Sequence, residues 1–247
     1  MKPLLLILLI SGATAALAQS ARNAAPVDLT GNWVSIVAED WRWRMTTPLK
    51  GDAASIPYKP EARAVIDAWD PAKDEAAGLQ CKAYGAPAVM RIPGRLRVSW
   101  QDENTLKIEL DQGRQTRLFH FGAKPSQMPA ASWQGYSAAR WEPPASPQGN
   151  GLPVGISPRF SAHSRSLEVS TSGLREGYLR RNGVPYSDKA TVTEYYDLFQ
   201  EPNGDTWFTV TTVVADPVYL FTPFVTTTDF RKEPDGSKFN PAPCSTR

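Results

Sequence analysis

The sequence is poor in the residues that usually announce chemistry. It holds two histidines, His120 and His163, and two cysteines, Cys81 and Cys244. None stands at ligand spacing, which argues against a structural zinc site. There is no G-x-S-x-G, H-E-x-x-H, C-x-x-C, P-loop or dinucleotide fingerprint, so neither a cofactor nor a metal is expected. Charge of one sign is lacking too: 27 Lys and Arg face 25 Asp and Glu, for a formal net charge of +2. That balance gives no electrostatic case for nucleic acid or an anionic membrane. Long apolar runs are missing; the one at residues 4–10 is too short to span a bilayer. No internal repeat, low-complexity tract or long helical pattern is present.

That apolar run follows Lys2 and leads to Ala16-Leu17-Ala18. A basic start, a short apolar stretch and an A-x-A site describe a secretory signal peptide, with a retained anchor as the alternative. Gln19 follows the cut rather than Cys, which disfavours a lipoprotein anchor. The expected organisation is a signal peptide at 1–18, a flexible leader at 19–27 and a single domain at 28–247. The location is periplasmic or secreted, with no integral membrane segment after cleavage. Oligomeric state is not set by the sequence. In an oxidising compartment two cysteines form one disulfide by default, the alternative being two separate thiols. The bond would tie the C-terminal tail to the end of the early helical region.

What the chain does have is tryptophan and proline, 8 and 22 residues, together with alternating apolar patterns. The clearest is TLKIELDQGRQTRLFHF at 105–121. Leu106, Ile108 and Leu110 alternate with Lys107 and Glu109, the period of a half-buried strand. Asp111-Gln112-Gly113 supplies a turn, and a second strand returns through 117–121. Further strands are expected at 28–37, 89–92 with 95–100, 133–141, 167–171, 191–199, 206–214 and 219–231. Residues 60–69 read as a helix with Pro60 in its first turn and Ala62, Val65, Ile66 and Trp69 on one stripe. A helical turn can follow at 74–79. Residues 40–45, DWRWRM, read as an extended segment with Trp41 and Trp43 on one face and Arg42 and Arg44 on the other. Residues 177–190 read as a connector turning at Asn182-Gly183. Residues 142–158 read as a long loop, either a lid or a disordered insertion. The fold class is mainly β: an antiparallel, lipocalin-like barrel of about nine strands with one short N-terminal helix.

LEVST at 167–171, NGVPYSDKATVTEYY at 182–196, DPVYLFTPF at 216–224 and the Gly31-Asn32-Trp33 start carry a resemblance. The chain resembles a broad set of exported bacterial proteins with a lipocalin-like β-barrel appearance and no settled activity. The resemblance implies an architecture and an exported location, not a reaction.

Two functions from different classes fit these residues. One is a binding protein whose barrel cavity, lined by Trp43, Arg44, Arg117, Trp133, Trp141 and Tyr195, holds a small apolar or aromatic molecule. The other is a cofactor-independent lyase, isomerase or hydrolase moving a proton through His120, Tyr196 or Asp197. A third possibility is a structural protein with a packed interior. On alternation His120 shares a face with Leu118 and Thr116, opposite Arg117, Phe119 and Phe121. Tyr195 and Asp197 share one face of their strand, and Glu194 and Tyr196 the other. Arg44, Arg91 and Arg140 are candidates for an anion contact, each equally a surface residue.

Overall fold

The computed structural model describes residues 19–142 and 166–246. The signal peptide read at 1–18, His163 and nearly all of the 142–158 loop lie outside the described residues.

Nine strands close into a barrel. They are β1 (Gly31–Ile36), β2 (Arg95–Asp102), β3 (Thr105–Leu110), β4 (Gln115–Phe121), β5 (Tyr136–Trp141), β6 (Ser166–Ser172), β7 (Thr191–Gln200), β8 (Thr206–Ala215) and β9 (Phe224–Glu233). Each pairs with the next in chain order, and β9 pairs with β1 to shut the ring. A closed ring can alternate direction throughout only if its strand number is even. Nine strands therefore force a parallel pair, which corrects the expectation of a wholly antiparallel barrel. That pair is β4–β5, with Phe119 opposite Ser137 and Phe121 opposite Ala139. A parallel pair needs a crossover of about a dozen residues, and residues 122–135 provide it.

Alternation decides what fills the barrel. Trp33, Leu96, Val98, Leu106, Ile108, Phe119, Leu167, Val169, Tyr196, Phe208, Val210 and Phe230 form one buried cluster. Its aromatic rings interlock: Trp33 meets Phe208 at 4.6 Å, Phe208 meets Phe230 at 4.8 Å, and Phe119 meets Tyr196 at 5.5 Å. Side chains therefore occupy the barrel's cross-section. At one end Trp100, Phe121 and Trp141 pack together, and the Trp141 indole N–H bonds the Ala21 carbonyl of the leader at 2.9 Å.

The other end is capped by residues 38–92 and 173–190. Three short helices stand here where one was expected: α1 (Trp41–Arg44), α2 (Pro60–Ala68) and α3 (Pro71–Ala76). In α2, Ala62 and Ile66 point inward one turn apart and are fully buried, as the stripe at 60–69 predicts. The 89–92 stretch is a 3-10 turn (Val89–Arg91) rather than strand. Its amide groups bond back to Gly85 and Ala88 instead of to a neighbouring strand. The 177–190 connector contains a buried antiparallel ribbon, Gly177–Arg180 against Val184–Tyr186. Cys81 and Cys244 are bonded, joining the cap to the tail with Cα atoms 5.2 Å apart.

The ribbon turns at Gly183, whose φ is +84°. A Cβ there would also stand 2.1 Å from the Trp69 ring. Gly183→Ala is expected to cost more than the roughly 1 kcal/mol of backbone strain alone, because the indole must move. Urea unfolding reads this directly. An unchanged midpoint would mean that Trp69 does not seat on the turn.

Candidate anion-binding site

The site is built within the cap by three segments distant in sequence. The first is α1. Its amides close a helical turn, with Arg44 N–H bonding the Asp40 carbonyl at 3.1 Å and Met45 N–H the Trp41 carbonyl at 2.9 Å. An extended segment would group Trp41 with Trp43 and Arg42 with Arg44. A helix rotates each residue by about 100°, so it groups neighbours instead. Trp41 and Arg42 face solvent, while Trp43 and Arg44 turn inward. The second segment is the 3-10 turn ending at Arg91. The third is the ribbon, which contributes Arg180, followed by Arg181.

Arg44, Arg91, Arg180 and Arg181 line one cavity of about 20 Å³ with Trp43, Ala83, Ala88, Ile92 and Leu179. Arg44, Arg91 and Arg180 are 3%, 6% and 5% exposed. Burying three guanidinium groups together is costly unless each is paired and hydrogen-bonded. Arg44 pairs with Glu39, and its Nε donates to the Arg91 carbonyl at 2.9 Å. Arg91 pairs with Asp40 at 2.8 Å. Arg180 makes no ion pair among the described residues, and its Nη1 reaches only the Asp52 carbonyl at 3.4 Å. Its planar face lies over the Trp43 ring at 4.5 Å. Stacking covers the face but leaves the N–H bonds, which lie in the plane, without acceptors. Arg44 Nη2, Arg91 Nη1, Arg180 Nε and Arg180 Nη2 are buried with no hydrogen-bond partner among the described residues. Arg181 donates to the Arg44 carbonyl at 3.3 Å.

The electrostatics follow. Burial, then the neighbouring Arg91 charge, push Arg180 down to about 10. Burial is also the main cause that lowers Arg44, with Arg91 adding to it against the opposing pull of Glu39. Asn182 fixes the surrounding frame, donating to the Leu49 and Asp52 carbonyls at 2.8 and 2.9 Å. Chemically, the arrangement is a set of fixed donors with surplus positive charge, suited to hold an anion. Among the described residues no group of three His, Cys, Asp or Glu side chains could hold a metal ion.

The residues read from sequence are scattered over the structure. Trp43 and Arg44 are in the cavity, and so is Arg91, whereas Arg140 sits on an exposed ion pair with Glu168. Arg117 and Tyr196 are inside the barrel. The Arg117 fork meets both Glu194 carboxylate oxygens, at 2.7 and 2.6 Å, and reaches Thr171 Oγ1 at 3.3 Å. Tyr196 donates to Glu194 at 3.3 Å, and burial first, Glu194 second, hold its hydroxyl well above the usual tyrosine range. His120, Tyr195 and Asp197 are on the outer wall, on the faces opposite Arg117 and Tyr196. The His120 ring stacks on Tyr136 at 5.0 Å, and Asp197 accepts from the Ser166 hydroxyl. His120, Tyr196 and Asp197 therefore do not meet: the barrel wall separates two of them from the third. Trp141 plugs the leader end. Trp133 lies on the crossover, its indole N–H bonding the Glu176 carbonyl at 3.2 Å with Arg175 over its ring.

Sequence reasoning missed Arg180, Arg181 and Glu194. Glu194 was open to discovery, since its face and that of Arg117 both carry buried aromatics. Arg180-Arg181 beside Asn182-Gly183 gave a weaker signal, a pair of charges at a turn. No helix among the described residues is long and apolar enough to cross a membrane. Comparison with protein-family models, with curated proteins and with solved structures gives no match, so the reading of this site rests on its own geometry.

Proposed function

We propose that this is an exported small-molecule binding protein of lipocalin-like form, whose ligand carries an anionic group seated in the arginine cavity. One observation carries the reading: three arginines from three separate segments line one cavity, and four of their buried guanidinium nitrogens have no acceptor among the described residues. Water can accept such hydrogen bonds but cannot neutralise the surplus charge; an anion does both. The apolar or aromatic body expected of the ligand then lies toward Trp43 and solvent. The disulfide supports the periplasmic or secreted location, because such bonds persist in oxidising compartments.

Arg180→Met tests this with a sign that a structural arginine would not give. Replacing an uncompensated buried charge with an apolar side chain of similar length is expected to stabilise the anion-free protein by about 1–4 kcal/mol. The same change should abolish the stabilisation that added sulfate or benzoate gives the native protein, which grows as RT ln(1 + [L]/Kd). Thermal unfolding with and without each anion reads both effects. A destabilised variant with an intact anion response would make Arg180 a packing residue and sink the reading.

The pH dependence follows from the lowered value of Arg180. Folding already disfavours its charge, and a bound anion would restore it. Anion affinity is therefore expected to hold at neutral pH and fall as pH rises past about 10, where Arg180 loses its proton. Titration across that range checks it, and a flat profile would remove Arg180 from the binding set.

A further inference from the structure

Resting on that anion reading, we propose that the group bound is a fully deprotonated tetrahedral oxyanion, the phosphoryl group of a monoester or a sulfate, rather than a carboxylate. The first argument is the direction of the donors. Arg44, Arg91 and Arg180 enter from α1, the 3-10 turn and the ribbon, and each presents at least one unpartnered nitrogen. A carboxylate is planar, has two oxygens and is satisfied by one arginine fork, as Glu194 is by Arg117. Unpartnered nitrogens on three arginines from three segments, rather than one free fork, match an anion that offers more than two oxygens.

The second argument is that, among the described residues, no side chain in the lining can accept a hydrogen bond. Arginine donates and never accepts. The carboxylates near the cluster, Glu39, Asp40 and Asp52, are already paired with Arg44, Arg91 and Arg42. An oxyanion that still carries a hydroxyl would have to bury that proton without a partner. A phosphate monoester dianion and sulfate have none to bury. The third argument is size. About 20 Å³, little more than one water needs, excludes a ring and so limits what can enter to a compact head. The organic remainder must then stay on the solvent side. Trp41 and Met45 flank the cavity residues Trp43 and Arg44 in the chain and are 66% and 58% exposed, offering that remainder apolar surface.

Calorimetric titration of the mature protein with sulfate, phenyl phosphate and benzoate tests the class. Phenyl phosphate is expected to bind at least about tenfold more tightly than benzoate, the worth of one extra charge-assisted hydrogen bond. Its affinity should be about tenfold weaker at pH 5 than at pH 7, because its second pKa is about 6, while sulfate changes little. Arg180→Met should remove binding of both oxyanions, and Arg180→Lys, which keeps the charge but loses the fork, should restore part of it. Two arms identify the source. Sedimentation with phosphatidic acid vesicles but not with phosphatidylcholine vesicles would name a lipid headgroup, and solution binding without sedimentation would name a soluble monoester; either supports the proposal. Benzoate binding as tightly as phenyl phosphate, or phenyl phosphate binding that does not weaken toward pH 5, would overturn the tetrahedral class and leave the anion site standing. Failure of all three ligands to bind would remove both.

Discussion

Breaking the Arg117–Glu194 pair from one side is expected to cost about 3–5 kcal/mol, whereas replacing both partners with apolar residues should cost little or nothing. Both side chains are 0% exposed, and the fork-to-carboxylate contacts are short. Burial works against the Arg117 charge, but Glu194, with Tyr196 contributing, outweighs it and holds the group more firmly protonated than a free arginine. Arg117→Met leaves Glu194 in the barrel with only the Tyr196 hydroxyl for company. Glu194→Leu leaves a guanidinium facing Thr171 and the Phe119 ring. Either loss strands a charge that nothing nearby neutralises. The double variant strands none, although Tyr196 and the Thr171–Ser137 pair lose an acceptor and a donor. A urea double-mutant cycle measures the coupling. Single-variant losses below about 1 kcal/mol would show that water reaches the pair, since exposed pairs are worth no more than that.

The contrast with the arginine cavity is instructive. Arg117 has a buried carboxylate matched to its fork, so its removal destabilises. Arg180 has no ion pair among the described residues, so its removal should stabilise. The same residue type, buried in both places, is expected to give opposite signs because only Arg117 has a carboxylate paired with it among the described residues.

Much of the barrel was legible from period-two patterns. The hairpin of β3 and β4 and the strands β6, β7 and β8 lie within a residue or two of where alternation puts them. The residues sharing a face of β4 and of β7 were grouped correctly, but which face points inward was not legible. Two further things were not legible. A local pattern cannot distinguish WRWR as strand from WRWR as one helical turn, because four residues satisfy both periods. The cap decides it, by giving Arg44 Glu39 and the Arg91 carbonyl as partners. The site itself is a tertiary fact. Arg44 and Arg91 were candidates for an anion contact, but Arg140 had equal standing, and nothing in the sequence brings Arg180 to the first two. Parity is the opposite case: nine strands in a closed ring imply a parallel pair before any coordinates are known.

Removing the Cys81–Cys244 bond should cost up to about 5 kcal/mol by the loop-entropy argument, since the closed loop spans 163 residues. The cost falls on the cap and the tail rather than on the barrel ladder. Residues Ala242–Pro243 lie parallel to Gln112–Gly113, and Ser245 N–H donates to the Tyr84 hydroxyl at 3.1 Å. Those few contacts are too weak to hold a tail that is no longer cross-linked. Cys81 lies in the 3-10 turn Gln80–Tyr84, which carries Ala83, a wall of the arginine cavity. Reduction should therefore loosen the anion site as well as lower the unfolding midpoint. Cys81→Ser, Cys244→Ser and the double variant are expected to be equally destabilised, because the first change already removes the cross-link. Urea unfolding of the three variants, with hydrogen exchange over residues 240–246, checks both parts. A double variant clearly worse than either single one would assign the loss to local packing of the thiols. Equal stability with and without reductant would mean that the unfolded chain is already compact enough for the loop to constrain nothing.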